Sequence, residues 1–127
     1  MKVVVDSSIL IDHLRGGSSW LNFLKDIDSN ASLYLPTIVL FELFAGQSTK
    51  DTSVRQKILR LTTKLQKIDL TENIAERAGQ LYRDISDNLG APDYIIAATS
   101  LEIGAEIVTL NNKHFAKIPG VRIYDFE

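Results

Sequence analysis

Three acids sit where a carboxylate could do chemistry: Asp6, Glu42 and Asp93. Asp6 ends the apolar run Val3-Val4-Val5. An aspartate there suits a cap for the helix that follows as readily as a functional site, but Ser7 and Ser8 could cap equally well, so the position does not demand an acid. Glu42 lies inside Ile38-Val39-Leu40-Phe41-Glu42-Leu43-Phe44-Ala45, and Ile38, Ala45 and Gly46 share its side of a helical wheel. An unpaired ionised carboxylate in such surroundings is costly, so Glu42 is neutral, paired, reaching solvent, or bound to a cation. Asp93 follows Pro92 at a helix start, where an acid complements the helix dipole without any further role.

Taken together, these acids occupy a strand end, an apolar helix and a helix start, three places that one crevice could bring together. Converging carboxylates repel one another unless a cation holds them. The chain has no cysteine and only His13 and His114 as imidazoles, so the available ligands are oxygens, which favours Mg²⁺ or Mn²⁺. The same absence removes disulfides, zinc–thiolate sites and a cysteine nucleophile. His114 follows an apolar segment ending at Leu110 and could face the crevice or simply be a solvated loop side chain. His13, one turn into a helix, says less.

The elements that must position these residues alternate. Lys2 to Val5 reads as a buried strand, followed by a helix carrying Ile9, Leu10 and Leu14 and stopped at Gly16-Gly17. A second helix from Ser19 to Ile27 presents Trp20, Phe23, Leu24 and Ile27. Ser32 to Leu35 is the second strand, ended by Pro36, and Thr37 to Phe44 a further apolar helix. From Asp51 to about Lys67, Val54, Ile58, Leu61 and Leu65 form an amphipathic stripe, with Lys57, Arg60, Lys64 and Lys67 on another face. Lys67 to Leu70 is expected as a third strand. A helix from Thr71 to Gly90 should bury Ile74, Ala78, Leu81, Tyr82 and Ile85, and another runs from Ala91 to Gly104. Glu106 to Leu110 and Val121 to Tyr124 complete about five strands, joined by a polar loop. Such alternation predicts an α/β fold with a mostly parallel sheet covered on both faces, whose ligand crevice lies beyond the carboxyl ends of the strands.

The 127 residues fit a single domain spanning 1–127, with 45% hydrophobic and 24% charged residues, a balance foreign to disordered or fibrous chains. No apolar run approaches the roughly 18 residues of a membrane span. The N-terminal apolar run is too short for a signal peptide, which makes the cytoplasm the expected location. A net charge of −2 argues at first against a nucleic-acid partner. That average conceals six basic residues against one acid between Lys50 and Lys67, with the remainder of the chain at −7. The basic segment is either an RNA-backbone contact through Lys57, Arg60, Lys64 and Lys67 or a solvated face.

Four motifs in order, Val4-Val5-Asp6-Ser7-Ser8, Leu40-Phe41-Glu42-Leu43 with Gly46, Asp93-Tyr94-Ile95-Ile96-Ala97-Ala98-Thr99, and Val108-Thr109-Leu110-Asn111-Asn112-Lys113-His114-Phe115 with Ile118-Pro119-Gly120-Val121, resemble the PIN domain and specifically the VapC-type toxin ribonucleases. The resemblance runs from Val3 to Phe126. It implies a three-layer α/β/α sandwich and cleavage of RNA dependent on Mg²⁺ or Mn²⁺. It implies Asp6 and Asp93 as metal-binding aspartates and Glu42 as the acid between them, either a ligand or the group that orients the attacking water. Where many relatives carry a further Asp, this chain has Thr109, Asn111 and His114 as the fourth corner, and Thr109 with Asn111 matches a Thr-x-Asn form of the VapC branch. The resemblance also implies a homodimer and a cognate antitoxin, consistent with apolar residues of 20–27 and 37–44 beyond what one core needs. Other readings are a PIN-like module that has lost catalysis and only binds RNA or a partner, and a PIN nuclease of RNA processing without an antitoxin. A phosphorylated receiver domain would need adjacent acids after strand one, where this chain has Ser7-Ser8.

Overall fold

The computed structural model describes residues 1–85 and 89–126. The elements in chain order are β1 (Lys2–Val5), α1 (Ser7–Leu14), α2 (Ser19–Asp26), β2 (Ser32–Pro36), α3 (Thr37–Phe44), a 3₁₀ turn (Gln47–Lys50), α4 (Thr52–Thr63), β3 (Gln66–Ile68), α5 (Glu72–Asp84), α6 (Ala91–Ile103), β4 (Glu106–Val108) and α7 (Asn112–Phe115). The strands form one parallel sheet in the order β3-β2-β1-β4. Val3 pairs with Leu33 on one side and with Glu106 on the other. Because side chains alternate across a strand, the complete burial of Val3, Val4 and Val5 means that both faces of the sheet are covered by helices. Two residues are thereby inside for every one a half-solvated strand would bury, which is why this stretch is unbrokenly β-branched.

After β1 the chain moves outward through β2 and β3, then returns past β1 to add β4 on its other side. That reversal opens a crevice at the carboxyl ends of β1 and β4. Asp6 is the first residue beyond β1, and its N–H donates to the Val108 carbonyl at the end of β4 at 3.1 Å. The fold therefore delivers Asp6 to the crevice by strand length alone. Pro92 in the first turn of α6 and Gly104 in the left-handed region at its end (φ +66°) fix both limits of the helix that carries Asp93. Thr71 and Asp51 are true caps, accepting from Ile74 N–H at 3.2 Å and from Ser53 N–H at 2.9 Å.

Several details differ from the sequence expectation. The third strand comes slightly early, at Gln66–Ile68, and α4 stops at Thr63. Thr62 and Thr63 turn their hydroxyls back onto the Ile58 and Leu59 carbonyls, and the chain then dives inward to bury Leu65. Lys67 consequently leaves the basic helical face: it lies on β3, and its ammonium donates to the Thr62 carbonyl. In place of a full fifth strand there is one parallel bridge, Ile107 to Ile123, flanked by the bonds Ile107 N–H to Arg122 O and Tyr124 N–H to Ile107 O. Pairing goes no further because Tyr124 and Phe126 turn onto the ring of Phe23. The polar loop after β4 contains the single turn α7, which buries Phe115. Tyr82, expected inside, is 61% exposed, its ring lying edge-on against the buried Tyr94 with centroids 5.5 Å apart.

Two glycine substitutions should move stability in opposite directions. Gly104→Ala forces an L side chain into the left-handed region and should cost about 1 kcal/mol. Gly79→Ala, in the middle of α5 with open space where the Cβ would stand, should gain about 0.5–1 kcal/mol. Urea unfolding of both variants against the parent reads the two signs directly.

Candidate active site

Asp6 occupies the N-cap position of α1, yet its side chain makes no capping hydrogen bond. The carboxylate is 2% exposed and turns instead toward β4, where Oδ2 accepts the Ser8 hydroxyl at 2.7 Å and the Thr109 hydroxyl at 2.7 Å. Each hydroxyl has one proton, and both protons are spent on the same carboxylate oxygen. The hydroxyl oxygens are in turn supplied by backbone donors: Leu110 N–H reaches Ser8 Oγ at 2.9 Å and Asn111 N–H reaches Thr109 Oγ1 at 2.9 Å. The Asp6 side chain is thus spent on Ser8 and Thr109 and not on capping the helix. Ser7 and Ser8, which could have served as caps, lie inside the first turn, and Ser8 clamps the acid.

Glu42 reaches the same region from α3. Burial raises its pKa above the ordinary carboxylate value, and the charges of Asp6 and Asp93 raise it further against a hydrogen bond from Ser7 that lowers it. One of its oxygens, Oε1, is buried and receives no hydrogen bond from the described residues. Asp93, in the first turn of α6, also has its pKa raised, by burial first and the charge of Asp6 second, with His114 opposing the shift. His114 Nδ1 stands 3.8 Å from Asp93 Oδ2. Asp6 therefore lies close enough to act on both Glu42 and Asp93, and Asp93 on Glu42, while Thr109 hydrogen-bonds Asp6 and His114 stands beside Asp93. Asn111 is exposed and enters through its backbone N–H.

The donor set is suited to a hard divalent cation. It consists of oxygens, it carries like charges that resist ionising together, and it includes one buried carboxylate oxygen without a donor. Among the described residues no three acid or imidazole side chains already stand in a chelating group, so an ion would draw its remaining ligands from water or substrate. Asp6 and Asp93 would hold it, with Glu42 beside them.

The basic residues form a neighbouring feature. Lys57 and Arg60 of α4 line a concavity of about 430 Å³ with His13, Leu14, Gly16 and Leu61. Leu14 also walls the adjoining cavity of about 280 Å³ that contains Glu42 and Arg15. Lys64 follows at the C-cap of α4. Sequence reasoning did not single out Arg15, and it read Ser7 and Ser8 as helix caps. The signal for the serines was their position directly after Asp6, but a local reading cannot show that Thr109, 103 residues away from Asp6, competes for the same carboxylate.

The described part of the chain contains no helix long and apolar enough to cross a membrane. Residues 3–121 match the PIN domain family. Ribonuclease VapC10 of Mycobacterium tuberculosis is 34% identical over 89% of this chain and 85% of its own length. A solved structure of VapBC2 from Rickettsia felis bound to a DNA fragment from their promoter superposes with a TM-score of 0.88 at 24% identity, covering 100% of both chains. A toxin–antitoxin complex from Klebsiella pneumoniae superposes with a TM-score of 0.77 at 28% identity, covering 98% of this chain and 99% of that one.

The electrostatics predict a stability effect in the protein stripped of divalent ions. A carboxyl whose folded pKa is raised binds its proton more tightly folded than unfolded, so the native state loses stability as pH rises from the ordinary Glu range through the folded pKa. Glu42→Gln should therefore raise the Tm by a few degrees at pH 7 in EDTA, and the gain should fade below pH ~4. Thermal melts of the two proteins at both pH values check it. Matched to the family over residues 3–121 and 34% identical to a VapC ribonuclease over 89% of its length, the chain belongs to the PIN domain family, on its VapC branch.

Proposed function

We propose that this chain is a Mg²⁺- or Mn²⁺-dependent endoribonuclease and the toxin of a VapBC-type pair, working in the cytoplasm. The observation that carries the reading is the convergence of three acids at one crevice, where burial and the neighbouring carboxylates raise the pKa of Glu42 and burial and Asp6 raise that of Asp93, an arrangement that is costly for a structural site and useful for a hydrolytic one. The names of the relatives, ribonucleases and toxin–antitoxin complexes, support the same assignment.

A divalent ion, when bound, supplies a more acidic water and offsets the charge of the scissile phosphate. The chain's own residues do the rest. Asp6 is immobilised through Oδ2 by Ser8 and Thr109, so that its carboxylate needs no rotamer search to serve as a ligand. His114, 3.8 Å away, offsets part of the cost of charging Asp93. Glu42, half-buried with its pKa raised by burial above the ordinary carboxylate value, is suited either to share in ligation or to orient the attacking water and take its proton as the P–O bond to the leaving 3′ or 5′ oxygen breaks. With Thr109 and Asn111 in the fourth corner, a second ion would depend on phosphate oxygens for its ligands. Lys57 and Arg60, with Lys64 at the end of the helix, supply the backbone attraction that the acidic body lacks.

The antitoxin reading has support at the surface beside the acids. Phe41, adjacent to Glu42 on α3, is 65% exposed, and Leu21 and Leu24 of α2 are exposed as well. Apolar side chains in that number suit covered faces, between copies of this chain in a homodimer or under an antitoxin segment.

The assignment is tested on single-stranded RNA. Asp6→Asn and Asp93→Asn should each abolish Mg²⁺-dependent cleavage with circular dichroism unchanged, and EDTA should abolish cleavage by the parent. Full activity in both variants overturns the assignment, and RNA binding without EDTA-sensitive cleavage identifies a binding module instead. A Lys57→Ala, Arg60→Ala, Lys64→Ala triple variant should bind RNA more weakly, with the slope of log affinity against log salt reduced by about 2.

A further inference from the structure

Thr109 has a second side. While its hydroxyl holds Asp6, the same residue lines a pocket of about 250 Å³ together with Asn22 of α2, Leu110, Asn112 of α7, and Tyr124, Asp125 and Phe126. The pocket and the acid crevice thus share a wall one side chain thick. We propose that this pocket holds a nucleobase of the RNA strand, the one next to the phosphate being cut, a statement that rests on the ribonuclease reading above.

The lining selects for that occupant. No lysine, arginine or histidine contributes to it and Asp125 does, so a phosphate would be repelled. What the walls offer is aromatic and aliphatic surface from Tyr124, Phe126 and Leu110, and amide edges from Asn22 and Asn112, each able to donate and to accept. A neutral planar ring with a hydrogen-bonding rim satisfies both sets, and unstacked bases of single-stranded RNA are recognised in this manner. The volume falls below the roughly 300 Å³ at which drug-sized sites begin, which suits one base and excludes a base pair.

The aromatic floor is assembled before any ligand arrives. Phe23, fully buried, meets Tyr124 edge-on with centroids 5.3 Å apart and Phe126 at 5.7 Å. The Tyr124 hydroxyl donates to Asp26 Oδ2 at 2.6 Å, a bond that pushes its pKa up to about 12 and keeps the phenol neutral at any working pH. Rings held this way lose little freedom on stacking, so the contact is converted into binding with small entropic cost. Because the pocket adjoins Thr109 and not the basic helix, it reads base identity at a fixed offset from the cut and contributes little to general backbone affinity.

The experiment uses the full chain with Mg²⁺ on a randomised single-stranded RNA library, cleavage positions being read by sequencing. The parent should show a base preference at one position adjoining the cut. Asn22→Ala combined with Asn112→Ala, both exposed positions, should flatten that preference while total cleavage persists. Phe126→Leu, which keeps the apolar contact with Phe23 and removes the π-face, should raise KM by about tenfold and change kcat far less. A preference unaltered in the double variant together with an unaltered KM in Phe126→Leu overturns the pocket assignment. So does a parent that cleaves with no preference beside the cut, an outcome that leaves the ribonuclease reading intact. A parent that cleaves no RNA at all overturns the ribonuclease reading and this inference with it.

Discussion

A carboxylate buried at the end of a fully buried strand has to be held, and how Asp6 is held organises the rest of this molecule. Desolvating the charge costs several kcal/mol. Two charge-assisted hydrogen bonds from Ser8 and Thr109, each worth about 1.5–3 kcal/mol, offset much of that cost. Those bonds come from different elements, the first turn of α1 and the residue after β4. Satisfying one side chain therefore locks the start of a helix, the end of the central strand and the end of its late-arriving neighbour into a single arrangement. The backbone follows, because Leu110 and Asn111 donate to the two hydroxyls and so fix the path of the chain out of β4 toward α7, on which His114 sits.

Around that fixed point the other acids are held less comfortably. Glu42 and Asp93 have raised pKa values because burial and the charge of Asp6 act on both in the same direction. Ser7 relieves Glu42 and His114 relieves Asp93, each in part, and Glu42 Oε1 keeps no donor at all among the described residues. A core selected for stability alone would place a leucine at 42, as its neighbours in α3 suggest. That residual discomfort gathers at the crevice, whereas the sheet residues Val3, Val4, Val5, Ile107 and Val108 are apolar and fully buried. Local conflict inside a consistent fold is the usual mark of a working site.

How much of this was legible in the sequence depended on whether the cause was local. The strands β1 and β2, the helix stop at Gly104 and the cap at Thr71 follow from runs, glycine geometry and hydroxyl chemistry within a few residues, and they stand where the pattern puts them. The acids were legible because an ionisable group amid apolar residues is conspicuous at any distance. Lys67 was misplaced because the helical stripe continues smoothly through it, whereas the backbone obeys the threonine back-bonds and the burial of Leu65. The fifth strand shrank to a bridge because Phe23, a hundred residues earlier, competes for Tyr124 and Phe126. The role of Ser8 was hidden for the same reason, since Leu110, which donates to its hydroxyl, and Thr109, which shares Asp6 Oδ2 with it, are distant in the chain.

The long-range contacts also change the meaning of the charge balance. A net charge of −2 is compatible with an RNA-acting protein because the charges are sorted along the edges of the sheet. Lys57 and Arg60 belong to the helix that leads into β3, at one edge, and the aromatic pocket, which holds Asp125 and no cationic side chain, flanks β4 at the other, with the acids between them after β1 and on α3 and α6. Attraction to a phosphate backbone is strong, unspecific and weakened by salt, whereas stacking and amide contacts are short-ranged and sensitive to the base. Under the proposed function, placing the two at opposite ends of the carboxyl edge lets one set affinity and the other set register. The acids in the middle would repel the strand at the point of reaction if they were left ionised and alone. Under the proposed mechanism that repulsion is the reason binding of a divalent cation and binding of RNA must be coupled at Asp6, Glu42 and Asp93, since each removes a cost that the other would otherwise bear.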